Sequence, residues 1–256
     1  MVLSEKIINN IIKLAEEAGK IIMLYHKAEF QIINKQDQSP VTTADLEAHK
    51  FIIRELPLIC SDFEIISEED TEHKKILGNK YWLIDPLDGT KNFIQGKDHF
   101  AVSIGLIDNN QPVFGVICMP ALKLTYFTLN NQAFKKHANN QIEKISSKFN
   151  KKDSYNIVTS NSSDDKKIKE FLNKYKVRNH YIVSSALKLC MVAEAKANIY
   201  PCFTNTMTWD TAAGHAILRA AGGDVYLFDN HQNIPLLYDK DNFSNPHFLA
   251  IGSISD

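Results

Sequence analysis

The chain has 256 residues, with 29 Lys and Arg against 30 Asp and Glu and a formal net charge of −1. This balance excludes the global positive field that a nucleic-acid polymer or an anionic membrane requires, although a small anionic substrate stays compatible with it. The N-terminus does not resemble a secretory signal, and no apolar run approaches the ~18 residues of a membrane span. We therefore expect a cytoplasmic protein without a transmembrane segment. Peripheral contact with the inner membrane, and the choice between monomer and homodimer, stay open.

The cysteines and histidines give no sign of a metal site built on sulfur or imidazole. Cys60, Cys118, Cys190 and Cys202 are widely spaced and form no CxxC pair, so we predict reduced, mostly buried thiols. The nine histidines lack ligand spacing, and the HExxH motif is absent. We expect them, His215 included, to be surface residues or hydrogen-bonded core residues.

The first half of the chain predicts helices followed by mostly antiparallel strands. Apolar residues at helical spacing predict an amphipathic helix over residues 4–26. Thr42 or Thr43 can cap a second helix, which Pro57 is expected to terminate. The β-like runs that follow are 63–67, 81–84, 100–107, 113–119 and 124–129.

The second half alternates strands and helices, which suggests a smaller α/β unit. Its predicted strands are 155–159, 180–183, 198–201 and 224–228, and its predicted helices are 164–175, 185–196 and 210–221. The stretch 135–152 is the most polar of the chain and is our candidate for a junction. We expect an N-terminal α+β domain over residues 1–145 and a C-terminal α/β domain over residues 146–256.

Three acidic segments carry the chemistry: Ser67-Glu68-Glu69-Asp70, Asp85-Pro86-Leu87-Asp88-Gly89-Thr90 and Trp209-Asp210-Thr211-Ala212-Ala213-Gly214. Each places carboxylates where a predicted strand meets a turn or a helix start. Carboxylate oxygens without His or Cys partners are the ligands that Mg²⁺ prefers, and Mg²⁺ held this way keeps positions for water and phosphate oxygens. The pattern indicates metal-assisted chemistry on a phosphate group, at a site between the two predicted domains.

The central segment offers several functional groups within six residues. Asp85 and Asp88 are three apart, so a tight turn can aim both carboxylates at one point, with the Leu87 carbonyl as a further oxygen ligand. The amides of Gly89 and Thr90 can hold a phosphate oxygen, and the Thr90 hydroxyl can orient a water. The structural alternative is an Asp-capped surface turn.

The other acids have structural alternatives as well. Glu68 can share a metal with Asp85, or it can belong to a solvated acidic loop. Asp210 can be a metal ligand, or it can simply favour the dipole of the helix that it opens. Asp45 is an ordinary first-turn acid whose functional role would be to accept a proton from Thr90.

Together and in this order, the segments resemble the signatures of the lithium-sensitive, magnesium-dependent inositol monophosphatase superfamily. The resemblance extends from Ser39-Pro40-Val41-Thr42 to Asn245-Pro246. It implies a layered αβαβα sandwich of α and β elements and two Mg²⁺ ions per site, with a third by resemblance alone. The metal ligands that it implies are Glu68, Asp85, the Leu87 carbonyl, Asp88 and Asp210.

The resemblance also implies roles on the substrate side. Asp45, Thr90 and metal-bound Glu68 would activate the water, and Asp88, Gly89 and Thr90 would meet the substrate phosphate. Glu68, Leu87 and Asp210 are also expected to be substrate-binding residues. Ser184, Ser185 and Lys188 resemble the region that receives the rest of a nucleotide.

Within the superfamily, Ser184-Ser185-Ala186-Leu187-Lys188-Leu189-Cys190 and Tyr200-Pro201 resemble the bacterial 3'(2'),5'-bisphosphate nucleotidase branch, the CysQ type. This branch implies removal of the 3'-phosphate from adenosine 3',5'-bisphosphate, giving AMP and phosphate, a step of sulfonucleotide recycling. Two departures weaken the substrate assignment. Cys202 stands where relatives often carry Arg, and no His lies near Ser160-Asn161-Ser162-Ser163.

Other functions stay compatible with these residues. The first is an inositol monophosphatase or a sugar bisphosphatase with the same metal chemistry. The second is an inactive sensor that binds nucleotide or metal without turnover. The third is an acidic calcium-binding domain, although the ligand spacing does not match an EF-hand loop.

Overall fold

The structure is a computed structural model that describes residues 3–28, 30–34, 40–70, 78–150, 154–160, 166–228, 233–239 and 242–255. Ser39 of the N-terminal motif, residues 161–163 near the expected histidine position, and the start of the predicted helix 164–175 lie outside these ranges. The helices are α1 (Glu5–Tyr25), α2 (Thr43–Ile59), α3 (Thr90–Ile94), α4 (Lys166–Asn173), α5 (Leu187–Ala193) and α6 (Thr208–Ala220). The strands in the first half are β1 (Ile32–Asn34), β2 (Pro40–Thr42), β3 (Glu64–Ser67), β4 (Lys80–Asp88), β5 (Ala101–Asp108), β6 (Gln111–Met119), β7 (Leu124–Leu129), β8 (Gln132–Lys136) and β9 (Ile142–Ile145). Those in the second half are β10 (Phe149–Asn150), β11 (Tyr155–Thr159), β12 (Val177–Ile182), β13 (Ile199–Cys202), β14 (Thr206–Met207), β15 (Asp224–Leu227), β16 (Ser244–Asn245), β17 (Phe248–Ile251) and β18 (Ile254–Ser255).

The first two helices follow the sequence prediction at their starts. The Ser4 hydroxyl accepts from the Ile7 amide at the start of α1, and the Thr42 hydroxyl caps α2. The prediction that Pro57 terminates the second helix is wrong, because α2 continues to Ile59. Pro57 lies in the last turn, where its missing N–H costs one backbone bond without breaking the helix.

Seven strands of the described chain form the first sheet, in the order β3-β4-β5-β6-β7-β8-β9. Only β3 and β4 are parallel among these neighbours, and the others pair antiparallel. The predicted end of β4 at residue 84 is wrong, since the strand runs on to Asp88, which pairs with Ala101. The register shifts between Asp85 and Asp88, so the acidic motif forms an irregular strand end rather than a separate turn.

The second sheet is mixed, with the order β12-β11-β13-β17-β15 among the described residues. β12 and β13 run parallel to β11, whereas β17 pairs antiparallel with both β13 and β15. The polar stretch 135–152 contributes β9 to the first sheet, and the second sheet begins only at β11. The division into two domains near residue 145 stays a prediction.

The elements stack in five layers, which confirms the expected αβαβα sandwich. α1 and α2 pack on one face of the first sheet, around Ile11, Ile52 and Trp82. α5 and α6 lie between the two sheets, and α4 covers the far face of the second through Phe171. The described cysteines are all buried and free, as predicted.

Two glycines let α6 lie directly on the first sheet. A Cβ atom at Gly115 would be 2.2 Å from the Ala213 carbonyl oxygen, and one at Gly105 would be 2.8 Å from the Ala212 Cβ. Both contacts are far shorter than packed atoms tolerate, so only glycine allows this approach. The contact fixes the depth at which α6 lies between the sheets.

Membrane insertion through a helix has no support in the described part of the chain. None of the helices there combines the length and the apolar composition that a membrane span requires.

Candidate active site

Three carboxylates from distant parts of the chain meet at one point. One oxygen each of Glu68, Asp85 and Asp210 lies within 4.8 Å of the others. Because β3 and β4 are parallel, their carboxyl ends reach the same edge of the sheet, and the Glu68 amide donates to the Ile84 carbonyl at 3.0 Å. Asp210 arrives from the first turn of α6. The structure therefore brings together three of the four acids that the sequence predicts as metal ligands.

Asp85 lies at the centre of the carboxylate cluster and is 2% exposed. Burial raises the pKa of Asp85 well above its usual range, and the negative charges of Glu68, Asp88 and Asp210 raise it further. Its Oδ1 accepts from the Leu87 amide at 3.0 Å, and no Lys, Arg or His of the described residues forms an ion pair with it. A buried carboxylate among like charges is costly unless a cation joins it, so these residues fit a divalent metal ion.

Asp210 is the third residue of α6, which begins two residues earlier than the sequence predicted. Its Oδ2 accepts from the Met207 amide at 2.8 Å, which fixes the direction of the carboxylate. Burial raises the pKa of Asp210 to about 8, and the charge of Asp88 adds to this effect. The helix start thus orients a carboxylate that is difficult to ionise without a cation.

Asp88 has a different environment from the other three acids. Its Oδ2 accepts from the Ser185 hydroxyl at 2.6 Å and from the Ala186 amide, just before α5. Burial raises the pKa of Asp88, while the Ser185 hydrogen bond and the Lys188 charge oppose that rise. Asp88 is outside the three-acid cluster and ties β4 to α5, so its role as a metal ligand stays a prediction.

Asp70, the last acid of the first acidic segment, has a structural role. The Asp70 Oδ2 accepts from the Ser67 amide at 2.8 Å, which closes the turn after β3. This bond holds the turn that presents Glu68.

Thr90 and Asp45 form a hydrogen-bonded pair, as the sequence predicted. The Thr90 hydroxyl lies 3.0 Å from Asp45 Oδ1 and 3.1 Å from the Leu87 carbonyl oxygen. Asp45 is 1% exposed, and its Oδ2 accepts from the Thr42 amide at 2.8 Å and the Thr42 hydroxyl at 2.5 Å. Burial raises the pKa of Asp45, and the hydrogen bonds from Thr42 and Thr90 oppose that rise.

Gly89 gives the strand end its shape. It has φ of +94°, in the left-handed region, and immediately precedes α3. A Cβ atom there would be 2.9 Å from the His99 carbonyl oxygen and 3.3 Å from the Ser185 Cβ. The Leu87 side chain is part of the apolar core, so only its carbonyl is available for the predicted role.

A cavity of about 90 Å³ adjoins the carboxylates on the α5 side. Its lining residues are Asp88, Ser185, Ala186, Lys188, Leu189, Tyr200, Thr206, Asp210 and Thr211. The buried Lys188 ammonium donates to the Ser185 carbonyl at 2.9 Å and lies 5.3 Å from the centre of the Tyr200 ring. Burial lowers the pKa of Lys188, and the charge of Asp88 opposes that shift. The predicted residues Ser185 and Lys188 line this cavity, whereas Ser184 does not.

Several residues of the site have no predicted site role. Thr42, predicted only as a possible helix cap, orients Asp45, and its position three residues earlier is the spacing of a capping box, so a local signal existed. Ala186 acts through its backbone amide, and Tyr200 through its ring face, and neither role has a sequence signal. Cys202 is buried, with its Sγ 3.7 Å from the Thr204 carbonyl oxygen.

Comparison with known proteins identifies the class to which this fold and site belong. Residues 3–247 match the inositol monophosphatase family, and the chain is a member of it. Members of this family are metal-dependent phosphatases, in agreement with the carboxylate cluster.

Individual relatives have a more specific name than the family does. The 3'(2'),5'-bisphosphate nucleotidase CysQ of Escherichia coli (strain K12) is 36% identical over 248 residues, covering 94% of this chain and 98% of that protein. The protein of that name from Haemophilus influenzae is 31% identical and covers 100% of this chain and 96% of its own. The crystal structure of CysQ from Bacteroides thetaiotaomicron is similar with a TM-score of 0.78 at 32% identity, over 95% of this chain and 96% of that chain.

Proposed function

We propose that the protein is a magnesium-dependent phosphomonoesterase that hydrolyses the 3'-phosphate of adenosine 3',5'-bisphosphate to AMP and inorganic phosphate. The observation that supports a metal-dependent phosphatase reaction is that the carboxylates of residues 68, 85 and 210 meet at one point. The substrate assignment is supported by relatives named 3'(2'),5'-bisphosphate nucleotidase that are similar over nearly the whole chain.

Glu68, Asp85 and Asp210 would hold a divalent cation, with the Leu87 carbonyl and Asp88 as further ligands. Their hard oxygen atoms favour Mg²⁺ over metals that prefer sulfur or imidazole. When bound, such ions neutralise phosphate oxygens and lower the pKa of water. Two ions per site, with a weaker third, follow from the family resemblance.

Thr90 and Asp45 would orient the attacking water. The Thr90 hydroxyl has one proton, and the Asp45 carboxylate at 3.0 Å is a stronger acceptor than the neutral Leu87 carbonyl. Because the Thr90 hydroxyl donates its hydrogen bond to Asp45, the lone pairs of Thr90 Oγ1 can accept a hydrogen bond from water. Glu68 would act together with Thr90 and Asp45 on this water and would accept its proton.

The phosphate group would lie between the strand end and α5. The amides of Gly89 and Thr90, next to Asp88, can donate to its oxygens, and the left-handed φ of Gly89 sets their direction. Ser184, Ser185 and the buried cation of Lys188 would receive the rest of the nucleotide. In this mechanism water attacks the phosphorus directly, and no covalent intermediate forms on the protein.

The location that we propose is cytoplasmic. The four cysteines are free and buried, as expected of a protein in a reducing compartment.

A phosphate-release assay with three substrates tests the assignment. Purified protein is given adenosine 3',5'-bisphosphate, inositol 1-phosphate or a sugar bisphosphate, each with Mg²⁺ and with EDTA. We expect the nucleotide to have the highest kcat/KM and all turnover to require Mg²⁺. Preference for inositol 1-phosphate or the sugar bisphosphate would overturn the substrate, and full activity in EDTA would overturn the metal mechanism.

The sugar or inositol phosphates are the second candidates because of Cys202. A thiol at this position cannot form the two-pronged contact that a guanidinium makes with a second phosphate group. Nucleotide recovered uncleaved with bound Mg²⁺ would instead indicate a sensor without turnover.

A further inference from the structure

A chain of polar groups, half-buried at Asp224 and buried at His215, Tyr238 and Thr211, links β15 to the first turn of α6. It runs from Asp224 on β15 through His215 on α6 to Tyr238, and then back to α6 at Thr211. His215 and Thr211 are one helical turn apart, so both side chains lie on the same side of α6. Thr211 directly follows Asp210 and lines the cavity with it, whereas Asp224, His215 and Tyr238 belong neither to the three-acid cluster nor to the cavity lining.

His215 is held at both ring nitrogens. It is 1% exposed, with Nε2 at 2.7 Å from Asp224 Oδ1 and Nδ1 at 3.1 Å from the Tyr238 hydroxyl oxygen. A carboxylate only accepts hydrogen bonds, so Nε2 carries a proton and donates to Asp224. The carboxylate is itself fixed, because the Val225 amide donates to the same oxygen at 2.8 Å. A ring bound at both nitrogens has one orientation in the core.

The next bonds reach the helix start. The Tyr238 hydroxyl donates to Thr211 Oγ1 at 3.2 Å, and the Thr211 hydroxyl donates to the Thr208 carbonyl at 3.2 Å. The Asn245 side-chain amide donates to Thr211 Oγ1 at 3.0 Å and to the Met207 carbonyl at 2.7 Å. These bonds tie the residues around the first turn of α6 to each other and to β16.

Met207 connects this network to the acidic cluster. Its carbonyl accepts from Asn245, and its amide donates to Asp210 Oδ2 at 2.8 Å. Gly105 and Gly115 fix the depth of α6 against the first sheet. The polar network is the second support of the turn that presents Asp210, and it holds this turn through hydrogen bonds rather than through close packing.

We propose that His215 is a positioning residue, which acts through Tyr238 and Thr211 to keep the Asp210 carboxylate within reach of Glu68 and Asp85. The inference rests on the proposed metal site. His215 is not one of the three clustered acids and does not line the cavity, so we expect its loss to weaken metal binding rather than the chemistry at saturating metal. Outer groups of this kind typically change metal affinity by about 10- to 100-fold, and we expect the lower end for a residue several bonds away.

Metal binding without substrate tests the proposal. Mn²⁺ serves as the probe because it binds oxygen sites and can be followed by electron paramagnetic resonance. We expect His215→Phe, which keeps a ring but loses both hydrogen bonds, to raise the Kd for Mn²⁺ about 10-fold. Tyr238→Phe removes only the connecting hydroxyl and should have a similar effect. The double variant should be no weaker than either single variant, because both break the same connection.

A destabilised control separates positioning from general loss of stability. Ile52→Val lies in the core between α2 and the first sheet, and should lower the thermal midpoint with unchanged Mn²⁺ affinity. Folded His215→Phe and Tyr238→Phe proteins that bind Mn²⁺ like the wild type would overturn the proposal. If His215→Phe does not fold, Tyr238→Phe decides alone. A wild-type protein that binds no Mn²⁺ would overturn the proposed metal site, and this inference with it.

Discussion

The Thr90 hydroxyl donates a hydrogen bond to the Asp45 carboxylate across a separation of 45 residues, with 3.0 Å between the two oxygen atoms. The bond joins the first residue of α3 to the first turn of α2. The other carboxylate oxygen is held by the amide and hydroxyl of Thr42, so the Asp45 carboxylate cannot rotate. Asp45 therefore presents one fixed acceptor to Thr90, as an orienting pair for water requires.

Thr90→Val should lower kcat with a smaller change in KM. Valine keeps the branched shape but cannot hold a water or donate to Asp45. Acid–base groups of this kind contribute about 10²- to 10⁴-fold, so a loss in that range is expected in steady-state phosphate release. Thr90→Ser keeps the hydroxyl and should retain most of the activity. A change confined to KM in Thr90→Val would make Thr90 a substrate-binding residue instead.

Asp85→Asn should abolish turnover and leave the protein folded. The amide is neutral and of similar size, so it removes a metal ligand and relieves the repulsion with Glu68 and Asp210. The loss should exceed the ~10- to 100-fold typical of an outer-shell partner, and Mn²⁺ binding should weaken with it. Glu55→Gln changes a half-buried acid that pairs with Arg54, away from the cluster, and should leave both quantities unchanged. Full activity of Asp85→Asn in Mg²⁺ buffer would remove the metal argument.

Gly89→Ala and Gly96→Ala form a matched pair. Both glycines have positive φ, so alanine costs about 1–2 kcal/mol of strain at either position. Only at Gly89 does the new Cβ meet the His99 carbonyl, at 2.9 Å, whereas the nearest atom at Gly96 is 4.0 Å away. Urea denaturation should show a loss of stability in both variants, and kinetics should show a loss of kcat/KM in Gly89→Ala alone. Wild-type kinetics in Gly89→Ala would contradict the assigned role of this strand end.

Lys188→Met should raise KM for the nucleotide by about 10-fold, the loss expected for one hydrogen bond to a charged group. Methionine keeps most of the side-chain length but removes the cation that lines the cavity beside Asp88. Lys196→Met removes an ammonium group that pairs with Glu194 outside the cavity, and KM should not change. Equal KM values in the two variants would exclude Lys188 from substrate binding.

The metal-free protein should lose stability as pH rises from about 5 to about 8. Burial raises the pKa of Asp85 and brings that of Asp210 to about 8, so the folded state binds more protons than the unfolded chain in this range. Unfolding free energy falls with pH wherever the folded state binds more protons, so the decline continues through the folded pKa. The urea midpoint of unfolding, measured in EDTA at each pH, reports this loss of stability.

Added Mg²⁺ should reduce this decline, because a bound cation replaces the protons on the carboxylates. Asp210→Asn should also flatten the dependence in EDTA, since its side chain no longer titrates. A metal-free protein whose urea midpoint is constant across this range would show that the carboxylates are ionised without a metal.

Much of the layout followed from local patterns. The helix that apolar spacing predicts at α1, the predicted strands 124–129 and 155–159, and the helix that carries Asp210 were all confirmed, with small shifts at the helix ends. The errors lie where local rules compete with long-range pairing. β4 continues past Ile84 because β5 pairs with it as far as Asp88, and no local signal records that partner.

The candidate site shows the same division. Asp85, Asp88 and Thr90 lie within six residues, and Thr42 lies three residues before Asp45, so these spacings and the family that they indicate can be read from the chain alone. The meeting of Asp85 with Glu68 and Asp210, and the hydrogen bond of Asp88 to Ser185, depend on the folded arrangement. Local bonding sets spacing within a segment, whereas the burial of apolar faces between five layers sets where distant segments meet.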